Sequence, residues 1–291
     1  MDLLNGKVAV ITGGASGIGF SLAERLGAEG MKLVIADIDP GALEQAAAAL
    51  RDRGYEAIGV RADVARYEDV EALAAAALKA FGKVHLVVNN AGVSITGPIW
   101  EMSLDDWRWV YDVNVWGVIH GIKAFVPILM GQGEGGYIVN TASEAGFVSI
   151  GEHAPYCSSK AAVVSLSKAL YSEMTARDTG IGVSVVCPGL VDTKIHQSWR
   201  NRPAGDQPWS RRESDDPAHR EGSSKFQARG VPPEQIAELT LQAIRDGRFY
   251  VFNSDTWRDM VTREFEAALR TDAPPLRTWG PDLRRQPTED A

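Results

Sequence analysis

The strongest constraint on this chain is an alternation of short, continuously apolar runs with helical patterns. KVAVIT (7–12) is strand-like, and SGIGFSLAERLGAEG (16–30) is helical and closes on Gly30. KLVIAD (32–37) precedes an Ala-rich helical segment over 40–53, and EAIGVRAD (56–63) precedes another over 67–81. VHLVVNNAG (84–92), GYIVNTAS (136–143) and GVSVVCPG (182–189) repeat the strand form, the last two each after a long helical stretch. Continuous apolar strands are the signature of a sheet buried on both faces. Strands alternating with helices demand parallel pairing through right-handed crossovers, which predicts a doubly wound α/β sheet with helices on both sides.

The alternation fails once. From 194 to 230 the chain is dense in Pro, Gly, Arg and Asp and reads as a structureless insertion, a length that compact domains usually reserve for function or motion. Helical pattern returns over 232–244, followed by a short strand at 248–252, a helix over 256–269 and a charged, Pro-rich tail over 272–291. One domain over 1–271, carrying the insertion, is expected.

With 291 residues the chain can bury a large core, and 45% apolar with 23% charged residues is ordinary for a globular protein. A net charge of −8 without a basic stripe argues against nucleic acid or an anionic membrane as partner. Cys157 and Cys187 have no metal-ligand spacing and no disulfide framework, so no metal site and a reducing compartment are expected. The start, MDLLNGKVAVITGG, lacks a secretory pattern, and no stretch is read as approaching the roughly 18 apolar residues of a span. A cytoplasmic location is expected.

TGGASGIG (12–19) lies where the first strand turns into the first helix. Gly13 permits the tight turn, Gly17 admits a close backbone approach, and Gly19 lets the helix pack on the sheet. The helix start then offers free N–H groups to a pyrophosphate. Glycine at such a turn says little alone, but Asp37 closes the second strand 18 residues after Gly19, as a ribose reader would. A carboxylate there accepts from a free ribose hydroxyl and repels a 2′-phosphate. The neighbouring candidates Gly14, Ala15, Ser16 and Ile38 are uncharged, so NAD is favoured over NADP.

The glycine turn, NNAG (89–92), Ser143, YCSSK (156–160) and PGLVDT (188–193) together resemble the short-chain dehydrogenase/reductase family. The resemblance covers residues 5–193 and, less specifically, 231–252. It implies a single Rossmann domain of about seven parallel strands, NAD as cofactor, and a homo-oligomer, either a tetramer packed through two long helices or a dimer. It implies Asn114, Ser143, Tyr156 and Lys160 as the catalytic set. It also implies that Asp63 and Val64 flank the adenine, that Asn90 contacts a cofactor ribose while Asn89 serves the sheet, and that Thr193 and the Val191 backbone hold the carboxamide. Ser16, Ile18, Ile38, Ala91, Gly92, Pro188 and Gly189 complete the implied cofactor set. IVNTAS, IHQSWRNRP and YVFNSDTWRDMVTREFEAAL look more narrowly like bacterial dehydrogenases that oxidise the benzylic Cα alcohol of lignin-derived aryl ethers.

The chemistry also follows from the residues. Tyr156 and Lys160 stand at i and i+4, on one helix face. Lowering a phenol by about three pKa units takes roughly 4 kcal/mol. A positive charge about 4 Å away supplies roughly that at an effective dielectric near 20. Lys160, helped by the positive charge of the oxidised nicotinamide, is therefore expected to make Tyr156 a competent base, with Ser143 holding the substrate oxygen against it. Asn114 either merely interrupts its helix or, by resemblance, holds a water that links Lys160 to solvent.

Other residues divide differently. His153 either touches substrate or is a polar residue at the pocket rim. Glu144 is expected to face away from the reacting centre or to solvent, and Cys157 to pack. Trp100, Trp107, Trp109 and Trp116 are expected in core and subunit packing. Trp199, Trp209 and Phe226 either close a lid over a bulky apolar or aromatic substrate or tether a solvated insertion.

The expected activity is NAD-dependent interconversion of a secondary alcohol and a ketone. The alternatives are a cofactor-binding regulator without turnover, against which the intact catalytic set speaks, and another reductase of this fold with a different carbonyl substrate. An enoyl reductase would space its Tyr and Lys further apart, and an epimerase would carry a larger C-terminal domain.

Overall fold

A computed structural model describes residues 4–202 and 217–275. Seven parallel strands form one sheet: Val8–Thr12 (β1), Lys32–Asp37 (β2), Ala57–Arg61 (β3), Leu86–Asn89 (β4), Gly136–Thr141 (β5), Ile181–Val186 (β6) and Tyr250–Val251 (β7). Their order is β3-β2-β1-β4-β5-β6-β7. The helices are Gly17–Ala28 (α1), Pro40–Asp52 (α2), Tyr67–Phe81 (α3), Leu104–Tyr111 (α4), Gly117–Gln132 (α5), Ala154–Ala176 (α6), Pro217–Gln227 (α7), Pro233–Asp246 (α8) and Thr256–Leu269 (α9). The doubly wound architecture is the one the alternation predicts.

The two faces of the sheet divide the core. Ala9 and Ile11 of β1 cluster with Leu22 and Leu26 of α1, Leu43 and Leu50 of α2, and Ile236 and Leu241 of α8. Val8 and Val10 cluster with Leu73 of α3, Phe125 and Leu129 of α5, and Leu170 and Met174 of α6. Every residue of β1 is buried, which is why its sequence runs apolar rather than alternating. Each large side chain taken out of water contributes about 1.5–3 kcal/mol, so the central strands are the rigid part of the molecule.

Three expectations need correction. The strand read over 84–92 ends at Asn89, because Asn90 turns its amide back onto the carbonyls of Thr12 (3.1 Å) and Gly13 (3.3 Å) and leads the chain out of the sheet. The insertion read as structureless is helical on both described flanks, a 3-10 turn over Ile195–Asn201 and α7. His196 stitches these together, accepting or donating at 3.0 Å with Ser224. Trp209 and residues 276–291 of the tail lie outside the described residues. Finally, the helical run Leu104–Gln132 is long and apolar enough to cross a membrane, which the composition reading overlooked. Here a five-residue π turn, Asp112–Trp116, interrupts it, and Val118, Gly121, Phe125 and Leu129 bury its inner face.

Candidate active site

The strand order reverses between β1 and β4, and a crevice opens beyond the carboxyl ends of the strands at that point, as in other open parallel sheets. The crevice holds about 830 Å³. It runs from the first βα turn (Gly13, Ser16, Gly17, Ile18) past Asp37, Ile38, Asp63 and Val64, along Asn90, Ala91 and Gly92, to Tyr156, Lys160, Pro188 and Thr193. These predicted cofactor residues therefore line one continuous cleft.

At one end lies a cradle for an anion. The α1 start receives no hydrogen bond from the Ser16 side chain and has no acidic residue in its first turn, so its N–H groups and dipole face the cleft without a counter-charge. Gly17 has φ +52°, and a Cβ on it would stand 3.1 Å from the Thr193 methyl that closes over it. Gly19 packs behind the cradle, where a Cβ would fall 2.1 Å from the Gly13 carbonyl oxygen. Asp37 accepts from the backbone N–H of Ala15 and of Asp39, both at 3.2 Å. Burial pushes the Asp37 carboxyl up, against the pull of those backbone donors. Around it the described wall carries Ile38, Ala42, Gln45, Ala46 and a second carboxylate, Asp39, with no Lys or Arg among them.

The reacting groups are expected at the other end. Tyr156 and Lys160 project from the first turns of α6, the ammonium buried and the phenol half-buried, and the phenol is hydrogen-bonded to Ser143. Ser143 also receives the Ala145 N–H (3.1 Å) and donates to the Pro188 carbonyl (3.3 Å). Lys160 Nζ donates to the Thr141 carbonyl at 2.9 Å and lies 5.6 Å from the Tyr156 ring centroid. Without the positive charge of a bound nicotinamide, burial dominates both groups. Burial pushes Tyr156 up to about 12, opposed by the Ser143 hydrogen bond, and pushes Lys160 down to about 8. Desolvation is the largest cause of each shift, since burial disfavours the charged form of both groups.

Asn114 sits in the π turn, which aims its amide inward. Its Nδ2 donates to the Val93 carbonyl and to Ser159 Oγ, both at 3.0 Å, and its Oδ1 receives the Val93 N–H at 2.8 Å. Ser159 in turn donates to the Tyr156 carbonyl at 2.7 Å, so this network ties the α4–α5 break to the first turns of α6. Asn89 donates to Asn140 at 2.9 Å across the sheet.

Several predicted residues lie elsewhere. Val191 is buried and its carbonyl accepts from Gln227, while Gly189 donates its N–H to Asn253 at 2.9 Å. His153 and Trp199 do not line this cleft. His153 is buried at the start of α6, and burial pushes its imidazole down to about 4. Trp199 keeps 43% of its surface exposed. Glu144 is half-buried rather than solvated, accepts from Ser254 Oγ at 3.1 Å, and is pushed up by burial. Of the tryptophans expected to pack, Trp109 does pack but also lines the cleft, and Trp100 is 80% exposed. Sequence reading missed Thr141, whose carbonyl receives Lys160; its position two residues before Ser143 at a strand end was the available signal.

Comparison with known proteins gives a consistent set of relatives. The family model described as short chain dehydrogenase matches residues 7–204. A crystal structure of a short chain dehydrogenase/reductase from Burkholderia phymatum in complex with NAD superposes with a TM-score of 0.89 at 42% identity, over 96% of this chain and 99% of that one. A CLA biosynthesis dehydrogenase/reductase of Lactiplantibacillus plantarum is 32% identical, covering 92% of this chain and 95% of its own length. A C alpha-dehydrogenase of a Sphingobium species is 33% identical, covering 96% and 95%.

Proposed function

The chain belongs to the short chain dehydrogenase family, and from that membership we propose that it is an NAD-dependent oxidoreductase interconverting a secondary alcohol and its ketone. The observation that carries this reading is the single cleft that joins an uncapped helix start and Asp37 to Tyr156 and Lys160, with Ser143 hydrogen-bonded to the phenol behind its wall. When bound, the oxidised nicotinamide dinucleotide supplies a hydride acceptor and one positive charge.

The chain's own residues bind, orient and move the proton. The N–H groups at the start of α1 take the pyrophosphate, and Thr193 closes over it. Asp37 accepts from the ribose hydroxyls, and with Asp39 beside it repels a 2′-phosphate, which favours NAD over NADP. Asp63 and Val64 flank the adenine, and Asn90 through Gly92 floor the cleft. Ser143 Oγ holds the substrate oxygen against the Tyr156 hydroxyl. In ketone reduction the phenol, held protonated by burial, donates its proton to the developing alkoxide. In alcohol oxidation it takes that proton, and only added positive charge makes it basic enough; Lys160 supplies such charge below pH about 8. Asn114 holds the loop after β4 and, through Ser159, the backbone of Tyr156.

A bulky apolar or aromatic substrate, with a benzylic Cα alcohol as one candidate, is supported by the similarity to the Sphingobium enzyme and by Val93, Trp109, Val113 and Ile195 in the cleft wall. Assembly as a homo-oligomer goes with family membership, and light scattering on the purified protein tests it. The function itself is tested by following the reduced-nicotinamide band with purified protein, NAD and a panel of aryl and alicyclic secondary alcohols. Turnover of at least one bulky alcohol is expected. Tight NAD binding with no turnover across the panel would point to a cofactor-binding regulator instead.

A further inference from the structure

The mouth of the cleft has two walls that are far apart in sequence. One is α4, which contributes Asp105, Arg108 and Trp109, and the other is the 3-10 turn Ile195–Asn201, which contributes Gln197, Ser198 and Arg200. Two contacts anchor the turn. Ser198 Oγ receives the N–H of Ser94, in the loop after β4, at 3.1 Å. Arg202 Nη1, one residue past the turn, meets Asp106 Oδ1 at 2.5 Å.

The second contact is unlike the other ion pairs described in this protein, because both partners are buried. The Asp106 side chain is 1% exposed and that of Arg202 7%, whereas the partners in the remaining pairs keep far more surface. Asp106 is fixed on its other side by Ser103, whose N–H and hydroxyl donate to Oδ2 at 2.9 and 2.7 Å in the capping box of α4. The Arg202 guanidinium lies 5.0 Å above the Trp109 ring, so its flat face is occupied as well as its fork. A guanidinium held by charge, hydrogen bond and ring has little freedom. It sits where the turn over the cleft ends.

We propose that the Asp106–Arg202 ion pair, seated on Trp109, is the latch that holds the Ile195–Asn201 turn over the dinucleotide cleft and thereby sets the rate of cofactor release. This rests on the reading of the cleft as an NAD site. Asp106 and Arg202 are positioning residues, since they act through the turn. Breaking a buried pair by removing one partner leaves a desolvated charge behind, which favours opening over retention of the closed wall. Cofactor release limits turnover in many enzymes with closing loops, so the latch would trade speed for retention.

The test is stopped-flow release of NADH from the full-length wild type and from Asp106→Asn, Arg202→Gln, Arg202→Lys and the Asp106→Asn/Arg202→Gln double variant. Asp106→Asn keeps an acceptor for Ser103 while removing the charge. Each single neutral variant should release NADH about tenfold faster or more, Arg202→Lys should fall between, and the double variant should release no faster than the faster single, because the two residues act as one unit. If Asp106→Asn fails to fold, Arg202→Gln carries the test alone. Folded variants that melt lower without the cofactor yet release NADH at the wild-type rate would overturn the latch, as would single effects that add. A wild-type chain that binds no NADH overturns the reading of the cleft itself.

Discussion

Helices α6 and α9 are both expected from sequence, yet they stand in different parts of the molecule. In α6, nine residues from Pro155 to Met174 are buried, and the helix packs along β5 and β6 and against the π turn. In α9, Ala267 is the one buried residue among those whose side chains are described, while Phe265 is 59% and Leu269 84% exposed. The first carries Tyr156 and Lys160, groups whose reaction tolerates little misplacement. The second follows the insertion and β7, and none of its described residues lines the cleft. A family can keep one chemistry and vary its substrates if reaction groups stand on the dense half and substrate contacts on the sparse one.

That contrast can be broken by mutation. The largest stability effect is expected in the dense half. Leu22→Ala empties a fully buried position in α1 and should lower unfolding stability by about 2–5 kcal/mol, whereas Phe265→Ala in α9 should lower it by less than about 0.5 kcal/mol. Denaturant titration of both checks the pair, and equal losses would dissolve the distinction. Next comes acid. His153 titrates at about 4 in the fold against 6.5 when unfolded. Because the unfolded chain takes the proton that the fold refuses, stability is fully present above pH 6.5 and drains as pH falls toward 4, by about 3 kcal/mol. His153→Asn should flatten that slope, read by melts across the interval. A smaller effect is expected at the cofactor end. Asp37→Ala should shift the NAD-to-NADP preference toward NADP by about tenfold, near 1.4 kcal/mol, in binding titrations, and an unchanged ratio would remove its assigned role.

The legibility of the sequence follows the same division. The strands could be read because burial on both faces leaves runs such as VAVIT and LVVN without polar interruption. The cleft's cofactor wall could be read because a tight strand-to-helix turn and a strand-end carboxylate leave local marks, Gly13 to Gly19 and Asp37. Long-range pairings left none. Arg202 and Asp106 are 96 positions apart, and neither stands in a patterned context that announces a buried partner. The burial of Tyr156 left no mark for a related reason. The i, i+4 spacing gives a face but no burial, and burial pushes the phenol up where no cofactor charge opposes it. Trp109 looked like packing because tryptophan in an amphipathic helix usually is; that it also lines the cleft depends on the wall formed from residues 195–202.

The central claim is that Tyr156 is the proton-transferring group of a nicotinamide-dependent site. The measurement that tests it most directly is a side-by-side assay of wild type and Tyr156→Phe with NAD and the best alcohol of the panel, together with an NADH binding titration on each. The account predicts that the variant binds NADH as the wild type does and loses turnover by at least about a thousandfold, since removing the hydroxyl deletes the proton step and leaves the cradle intact. A Tyr156→Phe protein that turns over within a few fold of wild type would contradict it.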